Sequence, residues 1–173
     1  MKLVAGLGNP GRKYEGTRHN AGYMVLAELA RRGSAPPAKS AFQGETSEVK
    51  INGERTLLLW PHTFMNRSGT SVLAARDFYK ITNEEMLVVC DDLHLPLGSL
   101  RIRAQGSAGG QKGLADVTRV LGTEVVSRLR VGIGEAPAGW DPADYVLGKF
   151  TRQDLAMIED VIVRAAEAVE TWV

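Results

Sequence analysis

Lys2-Leu3-Val4-Ala5-Gly6-Leu7-Gly8-Asn9-Pro10-Gly11 opens the chain, and the point at which the next helix can begin decides the fold. Lys2 to Leu7 is a short apolar run ending in glycines, the pattern of a buried strand. The turn from Gly6 to Gly11 matches the G-x-G-x-x-G spacing of dinucleotide-binding proteins. In that fingerprint the helix starts inside the motif, so that its N-terminus meets a pyrophosphate. Here Pro10, Gly11 and Gly16 delay any helix until Asn20, and Glu28 falls within that helix instead of closing a second strand. A nicotinamide or flavin enzyme therefore has the wrong geometry. The remaining use of such a turn is close approach of backbone to a ligand, with Asn9 presenting an amide donor and a carbonyl acceptor, or serving as a plain Asn-Pro turn former.

Working outward, Asn20 to Arg32 carries apolar residues at helical spacing and stops at Gly33, so the chain begins strand, long loop, helix. Ser34 to Ser40, with Pro36 and Pro37, reads as a polar connection. Ser47 to Ile51 and Arg55 to Trp60 flank Asn52-Gly53, which predicts a hairpin. Ser68 to Tyr79 predicts a helix, Met86 to Cys90 a buried strand, Ser99 to Ala104 an alternating strand, Val117 to Leu121 a helix and Leu129 to Ile133 a strand. Asp154 to Trp172 has the i, i+3, i+4, i+7 pattern of a long terminal helix. Strands alternating with helices, plus one hairpin, imply an α/β layered fold: a central mixed twisted sheet flanked by helices, in a single domain spanning 1–173.

With 173 residues the chain is long enough for one domain with a substantial core. Its 44% hydrophobic and 24% charged residues are ordinary for a globular protein. No apolar run approaches the roughly 20 residues of a membrane span, and the first strand leaves no room for a signal peptide, so a cytoplasmic location is expected. The single cysteine, Cys90, forms no intramolecular disulfide. Net charge is only +1, but Arg101, Arg103, Lys112, Arg119, Arg128 and Arg130 outnumber Asp116 and Glu124 between Gly98 and Val131. That cluster suits either phosphates or an ordinary solvated surface.

Of the three histidines, His19 stands in the loop Thr17-Arg18-His19-Asn20-Ala21-Gly22 before a helix, and a free pKa of about 6.5 suits a base near neutral pH. Asp91 follows a buried strand, where an α/β sheet presents functional side chains, and is suited to orient an imidazole. No G-x-S-x-G elbow occurs, and Cys90 beside a carboxylate reads as an inert packed thiol. Water activated by His19 is the better nucleophile. Asp91, Asp92 and His94 lie close in sequence, yet no H-E-x-x-H spacing accompanies them, so no metal and no cofactor are expected. His62 and His94 read as structural or surface residues.

The motifs Gly6 to Gly11, Thr17 to Gly22, Thr63-Phe64-Met65-Asn66-Arg67-Ser68-Gly69, Cys90 to Pro96 and Gly106-Ser107-Ala108-Gly109-Gly110-Gln111-Lys112-Gly113-Leu114 together resemble the bacterial-type peptidyl-tRNA hydrolase family over the whole chain. The resemblance implies hydrolysis of the ester between peptide and tRNA, with His19 as base, Asp91 as its partner and Asn9 completing the catalytic set. It implies that Tyr14, Met65 and Asn66 bind substrate, and that Arg101, Arg103 and Arg130 face the acceptor stem and 3′ end of the tRNA; Lys112, which departs from the family's pattern, is expected to bind substrate through its ammonium. It further implies a monomer with no metal or cofactor. Where many members have His-Asn, this chain has Gln111-Lys112, so the third asparagine of the site is replaced by an ammonium. The chain also ends at Trp172-Val173, short of the basic tail many members carry. An altered RNA-binding protein on the same fold is the alternative.

Overall fold

The computed structural model describes residues 1–173. Its strands are β1 (Lys2–Gly6), β2 (Lys39–Ala41), β3 (Gly44–Ile51), β4 (Glu54–Pro61), β5 (Met86–Asp92), β6 (Leu100–Arg103) and β7 (Ser127–Gly132). Its helices are α1 (Ala21–Arg32), α2 (Ser68–Tyr79), α3 (Lys112–Leu121), α4 (Pro142–Val146) and α5 (Leu155–Trp172). The strands form one sheet in the order β2-β3-β4-β1-β5-β7-β6. The four central strands run parallel, while β2, β3 and β6 are antiparallel to their neighbours. This is the expected mixed sheet.

The period-2 alternation of the central strands sorts side chains to two faces. Val4, Leu58, Leu87, Val89, Leu129 and Val131 pack against α1 and α5. Leu3, Ala5, Leu57, Leu59, Met86 and Val88 pack against α2 and α3. Between β3 and β4, Asn52 and Gly53 both have positive φ, 51° and 84°, the two-residue turn that lets the flanking strands keep their twist.

Three elements differ from expectation. β2 lies partly inside the stretch read as a polar connection, pairing Lys39 to Ala41 with the start of β3. Helix α3 starts at Lys112, well before Val117, because Gln111 caps it. Helix α4, N-capped by Asp141 with Pro142 in its first turn, is too short for a periodic pattern to reveal.

Helix α1 lies directly on the sheet because Gly22 has no side chain. A Cβ there would stand 2.4 Å from the Val89 carbonyl oxygen and 2.6 Å from the Leu7 nitrogen, both backbone atoms. Gly22→Ala should therefore destabilise the fold by about 3 kcal/mol despite alanine's better helix propensity. Urea unfolding checks this, and an unchanged midpoint would mean that α1 lifts off the sheet without cost.

Candidate active site

The parallel strands β1 and β5 end side by side, and the loops leaving them meet the first turn of α3, which places the site at the carboxyl edge of the sheet. An open cleft of about 290 Å³ lies there. Asn9, His19, Met65, Asn66, Asp91 and Lys112 all line it, although they come from five separate stretches of the chain.

His19 sits in a one-turn 3-10 helix, Arg18–Asn20, between the glycine turn and α1. Its Nδ1 is 2.9 Å from each oxygen of Asp91. A carboxylate only accepts, so Nδ1 carries the proton and donates, which leaves the Nε2 lone pair free. The His19 side chain is 12% exposed and Asp91 only 3%, so the carboxylate is sealed behind the ring. Asp91 itself belongs to the end of β5, not to a following loop. A second donor reaches it: Gln111 Nε2 lies 2.9 Å from Asp91 Oδ1.

Asn9 is held on three sides. Its backbone nitrogen donates to Asn20 Oδ1 at 2.8 Å, its carbonyl accepts from Asn20 Nδ2 at 3.0 Å, and its Oδ1 accepts from the Met65 nitrogen at 2.7 Å. The acceptor end of its amide is thus consumed inside the protein, and the donor end, Nδ2, is what remains for the cleft. The sequence shows Asn9 and Asn20 only as members of two separate motifs, since the clamp between them forms through space.

Phe64 is half-exposed on the cleft wall and has φ 61°, a conformation costly for a bulky residue and often stored at functional sites. Nothing in its sequence context signals this. Tyr14 does not line the cleft directly; its ring meets Phe64 edge-on with centroids 6.4 Å apart. His94, read as structural or surface, lines the cleft, whereas His62 lies away from it, 3.9 Å from Glu45. Helix α4 closes the opposite wall with Pro142, Ala143 and Val146. Arg18 fastens that wall to the histidine loop, donating from a terminal nitrogen to the Tyr145 carbonyl at 3.0 Å while its guanidinium lies 4.1 Å from the centre of the Tyr145 ring.

The arginines divide. Arg101 and Arg103 are exposed on edge strand β6. Arg130 departs from the expectation of a phosphate-facing side chain: it is buried, 3.5 Å from Asp92 and donating to the Ser107 carbonyl at 2.9 Å. Its neighbour Arg128 is buried too, held by the carbonyls of Val126, Ser107 and Glu124. Burial first and the Arg130 charge second pull the Arg128 pKa down. Two guanidiniums on β7 are thus spent on anchoring the loop before α3.

Cys90 is fully buried, and burial, reinforced by the Asp91 charge, pushes its thiol up to about 12. It stays protonated and is no nucleophile. No three histidine, cysteine, aspartate or glutamate side chains converge in a metal-binding arrangement. No helix is long and apolar enough to cross a membrane.

An imidazole protonated at Nδ1, backed by a buried carboxylate at the carboxyl edge of an α/β sheet, defines an α/β protein equipped for proton transfer on a bound ligand. Comparison with known proteins narrows the class. The family model described as peptidyl-tRNA hydrolase matches residues 3–173. A peptidyl-tRNA hydrolase of Rhodopirellula baltica is 54% identical over 173 residues, 100% of this chain and 91% of that protein. One from Desulfitobacterium hafniense is 47% identical over 172 residues, 99% of this chain and 92% of its own length. The crystal structure of peptidyl-tRNA hydrolase from Acinetobacter baumannii superposes with a TM-score of 0.91 at 35% identity, covering 98% of this chain and 87% of that one. The chain belongs to the peptidyl-tRNA hydrolase family.

Proposed function

We propose that this protein hydrolyses the ester joining a peptide to the terminal ribose of tRNA, returning tRNA from peptidyl-tRNA released by stalled ribosomes. The observation that carries the reading is the His19–Asp91 pair at 2.9 Å in a cleft that also holds the Asn9 amide. His19 Nε2 takes a proton from water, and the resulting hydroxide adds to the ester carbonyl carbon. The carbon–oxygen bond to the ribose then breaks, and the imidazolium passes its proton to the departing ribose oxygen, which leaves as the hydroxyl. Asp91 holds the tautomer and stabilises the imidazolium. Asn9 Nδ2 donates to a substrate oxygen beside the reacting carbon.

Asn66 and Met65 contact the peptide and the terminal nucleotide, and Tyr14 supports that contact through Phe64. Lys112, exposed at the start of α3 with no protein partner, presents its ammonium to a phosphate or carbonyl oxygen. Arg101 and Arg103 face the phosphates of the acceptor stem, a salt-dependent contact indifferent to sequence. Residues 1–173 act as one catalytic domain, as a cytoplasmic monomer without metal or cofactor.

The test is release of tRNA from N-acetylated aminoacyl-tRNA by the purified protein after dialysis against a chelator, beside the unacetylated ester. Cleavage of the acetylated ester alone supports the reading. Tight tRNA binding without cleavage would favour an RNA-binding protein, and activity restored only by a divalent ion would overturn the metal-free scheme.

A further inference from the structure

Asp91 meets His19 symmetrically, with both oxygens 2.9 Å from Nδ1, so the ring alone does not fix the tilt of the carboxylate. The third contact comes from Gln111, whose Nε2 donates to Oδ1 at 2.9 Å. Gln111 is itself held at both ends of its amide. Its Oε1 accepts from the Leu114 nitrogen at 2.7 Å, capping α3, and its Nε2 also lies 3.3 Å from the Met65 sulfur. The capping bond settles the amide orientation, because a backbone N–H can only meet the oxygen. Nε2 must then face Asp91.

Serine, threonine, aspartate and asparagine are the usual caps, since a short side chain folds back on its own helix with little loss of freedom. Glutamine is longer, and here the extra length spans from the helix start to a carboxylate on β5. A cap alone has no use for that reach. The residue is also buried at 7% exposure, so water does not compete for either end of its amide.

We infer that Gln111 is a positioning residue for the reaction, its carboxamide bracing Asp91 between helix α3 and His19 so that Nε2 of the imidazole stays aimed into the cleft. The inference rests on the reading of His19 as base. A neutral carboxamide donates at every pH, so the brace adds no titration of its own. The other charged or titratable groups around the pair are Asp92, tied to Arg130, His94 and Lys112 in the cleft, and Arg18 and Cys90 beside them in the chain.

Gln111→Asn separates positioning from capping. Asparagine is a preferred cap and keeps an acceptor for an N–H of the first turn of α3, but it is one methylene too short to hold that bond and Asp91 together. We expect kcat to fall about tenfold or more, by comparison with the loss of partners that orient catalytic groups elsewhere. KM should stay within about twofold, since the brace touches no substrate. Gln111→Met, which carries no donor for Asp91, should lower kcat similarly. An Asn variant with unchanged kcat would reduce Gln111 to a cap and overturn the inference. His19→Ala in the same assay keeps the two readings apart: an active His19 variant removes the base itself, whereas an inactive one beside unimpaired Gln111 variants removes only the brace.

Discussion

His19→Ala is expected to lower kcat by about 10²–10⁴-fold, the range for loss of a positioned general base. His19 offers the cleft an imidazole nitrogen whose proton state is set, because Nδ1 is committed to Asp91 on the far side. No second base stands ready to substitute. Asp91 is sealed at 3% exposure, and Asp92 is engaged by Arg130 and by the His94 backbone nitrogen at 2.8 Å. His94 shares the cleft but has no carboxylate against its ring, so it lacks the orienting partner that His19 has. The fold should survive, since the imidazole is not part of either hydrophobic cluster. Removing it leaves the Asp91 carboxylate with Gln111 alone, a loss of about 1–3 kcal/mol when water from the cleft does not fill the gap. Steady-state kinetics on N-acetylated aminoacyl-tRNA, with urea unfolding in parallel, checks both halves. A variant with near-normal kcat would show that water is activated elsewhere.

The elements that the sequence makes legible are local ones, and those it hides share a physical cause. The strand from Lys2, the Asn52-Gly53 hairpin and the helix from Ser68 to Tyr79 are carried by apolar period or by turn residues, and they form where expected. The end of β5 is hidden because two adjacent carboxylates read as loop. Their burial depends on His19, Gln111 and Arg130, none of which is near in sequence. The start of α3 is hidden for the same reason, since a glutamine that caps while bracing an aspartate on another strand has no local signature. Arg130 reads as surface charge until Asp92 and the Ser107 carbonyl are seen to claim it. Chemistry-bearing residues are therefore easier to name from sequence than to connect.

Asp91→Asn is expected to reduce kcat by about 10²-fold or more while leaving KM nearly unchanged, the signature of an interaction made mainly in the transition state. In the parent, both oxygens of Asp91 accept from Nδ1, and Oδ1 accepts from Gln111 as well. An asparagine has one acceptor and one amide donor for the same three contacts. If its oxygen takes the place of Oδ1, it serves Gln111 and His19, but its amide points donor to donor at Nδ1–H. If it flips, its oxygen takes the place of Oδ2 and still accepts from Nδ1–H, but its amide now opposes both Gln111 Nε2 and the Nδ1–H, so the brace from α3 is lost. Both orientations also remove the negative charge that stabilises the imidazolium formed when His19 takes the proton. Asp91→Glu keeps the charge but not the reach and should recover only part of the rate. Should Asp91→Asn retain the parental kcat, His19 would be acting without its carboxylate, and the buried contact at 2.9 Å would be a structural tie between β5 and the histidine loop.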